Sequence, residues 1–172
     1  MLLDDTLVPY IEDIDPFFIS LIIKGKTLKN CMIDLGASNT IMPFKIMEAL
    51  GLKVDTKKGI CRGMDAREVL VIGTINALPF KLVAYPEVEL TMSILAVDIS
   101  PHYGMFLSRK WSATTRGSLQ CDLTYATFHI GDKAIKVNRE PNTNHILGEE
   151  IDKDATCFLD TGVNAFRAKL II

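Results

Sequence analysis

An all-β chain, mainly antiparallel and closed into a barrel, with one long hairpin and one or two short helices, is the fold class the sequence predicts. Short runs rich in β-branched and aromatic residues recur between breaks of Gly, Pro, Asn and Lys. Few segments of helical period lie between them, so the alternating spacing of a doubly wound α/β sheet is missing. A lone carboxylate, Asp34, ends an apolar run and precedes a glycine turn in Cys31-Met32-Ile33-Asp34-Leu35-Gly36-Ala37-Ser38-Asn39-Thr40-Ile41-Met42-Pro43. A charge in that position needs donors or a partner group to stay ionised, which makes this stretch the centre of any functional reading.

Pro16 to Ile23 reads as a strand entering a turn at Lys24-Gly25-Lys26, and Thr27 to Ile33 returns beside it and delivers Asp34. Gly36-Ala37-Ser38 permits a tight reversal and Asn39 to Met42 restarts a short strand. Pro43 then opens a helix that runs to Leu50 and stops at Gly51. Beyond polar Lys53 to Lys58, a strand from Gly59 and a strand over Val69 to Ile75 are bridged by a tip at Met64 to Arg67. Phe80 to Ala84 and Leu90 to Val97 follow as strands around a turn at Pro86, and Asp98, in Asp-Ile-Ser-Pro, reads as a turn initiator. Gly104 to Trp111 is expected to be a short helix with Phe106, Leu107 and Trp111 on one face. Ser118 to Leu123, Thr124 to Ile130 and Ala134 to Val137 complete the strands, the last two joined at Gly131-Asp132-Lys133.

Domain limits follow from where this pattern fades. Residues 1–15 mix acids with isolated apolar residues and are expected to be a leader or linker, residues 16–138 the domain, and residues 139–172 a polar, turn-rich tail. Met1 to Asp15 and Pro141 to Ile172 are expected to pack loosely.

Composition narrows the function classes. The 172 residues are 48% hydrophobic and 23% charged, enough for one domain with a real core, and the formal charge of -2 implies neither nucleic acid nor an anionic membrane as partner. Cys31, Cys61, Cys121 and Cys157 lie far apart and are expected to be free thiols. No apolar run approaches the ~18 residues of a membrane span, and the acidic start does not suit a signal peptide, so a soluble cytoplasmic chain or an excerpt of a longer polyprotein is expected. His102, His129 and His145 are isolated and no phosphate-cradling glycine loop occurs, so no metal or cofactor is expected.

Strand, turn, strand, Asp-x-Gly-Ala-Ser, strand and a helix ending in Gly-Leu together resemble the retropepsins, the aspartic proteases of retroviruses and gypsy-class retrotransposons. The nearest look is to plant retroelement polyproteins. The resemblance covers about residues 16–130 and is most specific around Asp34. It implies an aspartic endopeptidase acting on polypeptide substrates, with Asp34 catalytic and Leu35, Gly36, Ala37 and Ser38 supporting the loop. It also implies that the long hairpin is a flap whose tip, Gly63, Met64, Asp65 and Ala66, closes over substrate. With a single Asp-x-Gly set in a complete framework, the site implied is that of a homodimer, with Asp34 facing its symmetry mate.

The sequence departs from the family where Leu35 stands in place of the usual Ser or Thr after the Asp, and where Ser108 replaces a usual Gly. Asp160-Thr161-Gly162 matches the protease motif better than the first copy, but only 12 residues follow Asp160, too few for a second flap and helix. Two other readings stay open. One is a catalytically inactive retropepsin-like domain used for dimerisation or peptide binding, motivated by Leu35. The other is a small β-barrel interaction domain in which Asp34 only starts a turn by bonding the Gly36 amide.

Overall fold

A computed structural model describes residues 13–62 and 67–148. Among them the chain forms ten strands and two short helices. The strands are β1 (Phe18–Ile23), β2 (Lys26–Ile33), β3 (Thr40–Pro43), β4 (Thr56–Arg62), β5 (Glu68–Leu82), β6 (Tyr85–Val97), β7 (Met105–Leu107), β8 (Ser118–Leu119), β9 (Tyr125–Ile130) and β10 (Lys133–Asn138). The helices are α1 (Phe44–Ala49), between β3 and β4, and α2 (Arg109–Thr114), between β7 and β8.

The larger sheet runs β1-β2-β7-β3-β6-β5-β4, and β1 also pairs with β5 through Leu21 with Leu82 and Ile22 with Lys81. That extra pairing closes β1, β2, β7, β3, β6 and β5 into a six-strand barrel, with β4 hanging from β5 outside the ring. The expected closed, mainly antiparallel barrel is what the chain forms. Closure removes the open edges that a flat sheet of these apolar strands would expose. Two pairings are parallel, β2 with β7 and β3 with β6. β8, β9 and β10 make a separate antiparallel sheet.

Inward residues of the strands and one face of each helix fill the barrel. Phe17, Leu21, Leu28, Met42, Phe80, Leu107 and Trp111 belong to its main cluster, all nearly inaccessible to water. A second cluster joins Phe18, Met32, Ile41, Val71, Val97, Tyr103 and Phe106, so the base of the β4–β5 hairpin is anchored on the strands that flank Asp34. α1 ends where Gly51 takes φ +64°, a conformation that costs glycine nothing, and its amide bonds the Glu48 carbonyl.

Several expectations need correction. The segment expected as a helix from Gly104 to Trp111 is split: Met105–Leu107 is a strand, and the helix starts only at Arg109. Three consecutive buried apolar residues show no strand alternation because both faces of this central strand are covered. The breaks read between Ile75 and Phe80 and around Pro86 are absent, since β5 and β6 are continuous there and absorb the irregularity as register shifts. The turn between them lies at Val83 and Ala84. The strand expected over Ser118 to Leu123 covers two residues only.

The packed region also runs past 138, the expected end of the domain. Glu140 pairs with Phe18 as an isolated bridge and its carboxylate accepts from the Ser20 amide and hydroxyl. Ile146 and Leu147 are buried in the main cluster, and the Lys29 amide donates to the Ile146 carbonyl at 2.7 Å. Asn30, 1% exposed and at φ +54°, ties this segment down. Its Nδ2 donates to the carbonyls of His102 (3.2 Å) and Thr143 (2.6 Å) and to Asn142 Oδ1 (3.0 Å), while its Oδ1 accepts from the Thr143 amide (3.1 Å). So residues 139–147, read from sequence as tail, pack against β1 and β2 of the barrel.

Candidate active site

Asp34 is the first residue after β2, and the loop from Asp34 to Asn39 connects β2 to β3. These two strands are not hydrogen-bonded to each other; β7 lies between them, parallel to β2 and antiparallel to β3, with Ile33 opposite Leu107 and Ile41 opposite Phe106. The loop therefore spans an intervening strand, and its first amide, that of Asp34, donates to the Leu107 carbonyl at 2.9 Å. A turn residue of an ordinary hairpin has no such third strand beneath it.

Within the loop, the Gly36 amide donates to Asp34 Oδ1 at 2.9 Å and the Ala37 amide to the Asp34 carbonyl at 3.1 Å. A Cβ on Gly36 would stand 3.1 Å from Asp34 Oδ1, so a side chain there would press on the carboxylate. The first bond is the one an ordinary Asx turn makes. What distinguishes this loop is its support from α2. Arg109 donates its amide to the Ala37 carbonyl (3.0 Å), Nη1 to the carbonyls of Gly36 (3.1 Å) and Leu35 (3.4 Å), and Nη2 to Ser38 Oγ (3.3 Å). A planar guanidinium suits a set of acceptors held at fixed spacing.

Beneath the loop, Thr40 Oγ1 and Ser108 Oγ meet at 3.0 Å in a buried contact, and the Ser108 amide donates to Thr40 Oγ1 at 3.3 Å. Ser108 is also the N-cap of α2, its Oγ accepting from the Trp111 amide at 3.3 Å. One hydroxyl thus starts the helix that carries Arg109 and locks it to the strand on the far side of the loop. The residue that breaks the family pattern at 108 has a bonding role of its own.

Of the residues singled out in the sequence, Asp34, Leu35, Gly36, Ala37 and Ser38 are brought together in this loop. Leu35 is 50% exposed, its side chain on the surface beside the half-buried Asp34. Gly63, Met64, Asp65 and Ala66 lie outside the described residues, as does Asp160-Thr161-Gly162. The arms of the expected hairpin are in place, with Thr56 opposite Thr74 and Arg62 opposite Glu68. Asp98 is exposed at the end of β6, and its amide donates to the Leu70 carbonyl. Arg109 and Thr40 escaped the sequence reading, since their partners lie about 70 residues away along the chain.

Beside Asp34 the surface opens into a groove of ≈ 540 Å³ whose lining includes Ile33, Leu35, Leu119 and Leu123. Among the described residues no group of His, Cys, Asp and Glu is placed to hold a metal ion, and no helix is long and apolar enough to cross a membrane. Cys31 and Cys121 are free, the first buried and the second exposed.

No family model matches the sequence, and no curated protein matches it. Among solved structures the fold is similar to the retroviral protease-like domain of Ddi1 from Leishmania major, with a TM-score of 0.55 and 18% identity over 76% of this chain and 100% of that one. The chain has the retropepsin-like fold.

Proposed function

We propose that the chain is an aspartic endopeptidase of retroelement origin, working as a homodimer on polypeptide or polyprotein substrates. One observation carries the proposal: in a barrel of retroviral protease-like fold, Asp34 stands at the end of β2, on a loop pinned across β7 and clamped by Arg109. Precise placement of one carboxylate by a rigid support is what acid–base work on a peptide requires and what a plain turn does not.

In the dimer, two Asp34 carboxylates face each other across the twofold axis and share one proton, as crowded carboxylates do. The ionised partner takes a proton from a water molecule as it attacks the scissile carbonyl carbon. The protonated partner donates to the carbonyl oxygen, giving a tetrahedral diol; the carboxyl that took the water proton then passes it to the nitrogen, its mate recovers a proton from a diol hydroxyl, and the C–N bond breaks to release the amine and the new carboxylic acid. Gly36, without a Cβ, lets the two loops approach, and its amide holds the carboxylate in place. Leu35, half exposed beside Asp34, packs on its mate across the axis in place of a hydroxyl bridge.

A mixed peptide library at mildly acidic pH, incubated with the natural chain and with Asp34→Asn, tests the proposal. Cleavage by the natural chain is expected to fall by several orders of magnitude in the variant, as when a general acid–base group is removed, and specific activity is expected to fall on dilution as the dimer separates. Full activity in Asp34→Asn refutes the assignment. No cleavage by either chain favours the inactive dimerisation or peptide-binding domain, for which Leu35 is the motivating residue.

A further inference from the structure

The chain's only tryptophan, Trp111, carries a buried polar atom that the fold does not satisfy. The residue is 3% exposed, yet among the described residues nothing accepts a hydrogen bond from its Nε1–H. An indole nitrogen only donates, so whatever satisfies it must be an acceptor. The ring packs against Phe80 and Phe128, at centroid separations of 6.0 and 5.4 Å. Phe80 and Trp111 both line a pocket of ≈ 170 Å³ whose walls come from α2, β5, β6 and Thr40 of β3. Buried Met92 adds a further apolar wall. Among the described residues Lys110, which is exposed, is the one charged member of that lining, and neither Asp nor Glu belongs to it.

We propose that this pocket binds a small aliphatic carboxylate. The carboxylate accepts from Trp111 Nε1, the methylenes cover Phe80 and Met92, and the Lys110 ammonium supplies the opposite charge at the mouth. An ionised acceptor is the stronger partner for a fixed donor, and no negative group in the lining opposes it. An apolar cavity of ~150 Å³ holds one benzene, so the volume here limits the ligand to about six heavy atoms, the size of butyrate. The pocket shares no lining residue with the groove beside Asp34, and the proposal does not depend on what Asp34 does. It does adjoin the support of the Asp34 loop, since Thr40 lines it and bonds Ser108.

Because the chain has one tryptophan, NMR shows a single indole N–H signal, and that signal reports on Trp111 alone. The full chain is titrated at neutral pH and constant ionic strength with butyrate, with its uncharged isostere butyramide, and with butylammonium. Butyrate is expected to move the indole proton downfield in a saturable way, binding about tenfold more tightly than butyramide, while butylammonium gives no saturable shift. Lys110→Gln, at an exposed residue, is expected to weaken butyrate about threefold and to leave butyramide unchanged. The same spectra show whether that variant is folded. No saturable movement of the indole signal overturns the inference, since solvent alone then satisfies the nitrogen. Equal effects of the three compounds, tighter binding of butyramide than of butyrate, or a butyrate affinity indifferent to Lys110→Gln overturns it as well.

Discussion

Asn30 offers the sharpest test of how the segment after β10 is held to the barrel. Its side chain makes four hydrogen bonds, three of them to backbone groups of residues 102 and 143. The backbone partners fix the orientation of the amide, because only Nδ2 can donate to two carbonyls and only Oδ1 can accept from the Thr143 amide. Asn30→Ala strands the Thr143 amide and its carbonyl in a partly buried site, at about 1 kcal/mol each, and removes the bonds to His102 and Asn142. It also asks alanine to hold φ +54°, for about 1 kcal/mol more. The expected loss is about 3–4 kcal/mol in urea unfolding, a large share of a domain's stability. Asn30→Gly meets the same bonding loss without the conformational one, and is expected to be about 1 kcal/mol less damaging. A loss below about 1 kcal/mol for alanine, or equal losses for alanine and glycine, would refute the reasoning about both bonds and backbone.

The remaining predictions concern the loop and the thiols. Thr40→Val and Ser108→Ala, singly and together, are expected to show a coupling of about 1 kcal/mol in a double-mutant cycle, because the two hydroxyls are buried against each other; additive losses would mean that they do not interact. Arg109→Met is expected to cost about 1 kcal/mol of stability, since its partners are solvent-exposed, yet to speed hydrogen exchange at the Gly36 and Ala37 amides and to lower any peptidase rate by about tenfold. Unchanged exchange would show that the clamp does not hold the loop. Burial, with the nearby Glu140 charge adding to it, pushes the Cys31 thiol far up from its ordinary value. Its stabilising contribution is therefore complete below the unfolded thiol value of about 8.5 and drains as pH rises above that, at about 1.4 kcal/mol per pH unit. Alkylation mapped by mass spectrometry should mark Cys121 in the folded chain and Cys31 only on unfolding; early marking of Cys31 would contradict its burial.

Much of the barrel was legible because its outer strands obey local rules. Lys24 and Gly25, both at positive φ, turn β1 into β2 where Lys-Gly-Lys stood, and Gly131 does the same before β10. Legibility failed where the environment, not the residue, decides conformation. Met105-Phe106-Leu107 is apolar on every side, and only the presence of β2 and β3 on its two edges makes it a strand. Residues 139–147 looked like a tail because Asn142 and Thr143 are polar, and nothing local announces that Asn30, 112 and 113 residues earlier, satisfies them. Asp34 and its loop were legible through the resemblance around Gly36. The supports of that loop were not, because Arg109 and the hydroxyl pair bond to it across the fold.

The strand that divides β2 from β3 also sets an order of assembly. A ribosome that has released residues up to 100 has made β1 to β6, but β2 and β3 still face an open gap, and the Asp34 amide has no carbonyl to meet. The gap closes only when Met105–Leu107 inserts, and the clamp forms only with Arg109, 73 residues after Gly36. Contacts of such long separation form late and slowly. Whatever chemistry Asp34 performs is thereby withheld from the nascent chain until the segment that completes the barrel has been synthesised. A fragment ending before residue 105 should keep the β1–β2 hairpin yet hold no ordered Asp34 loop.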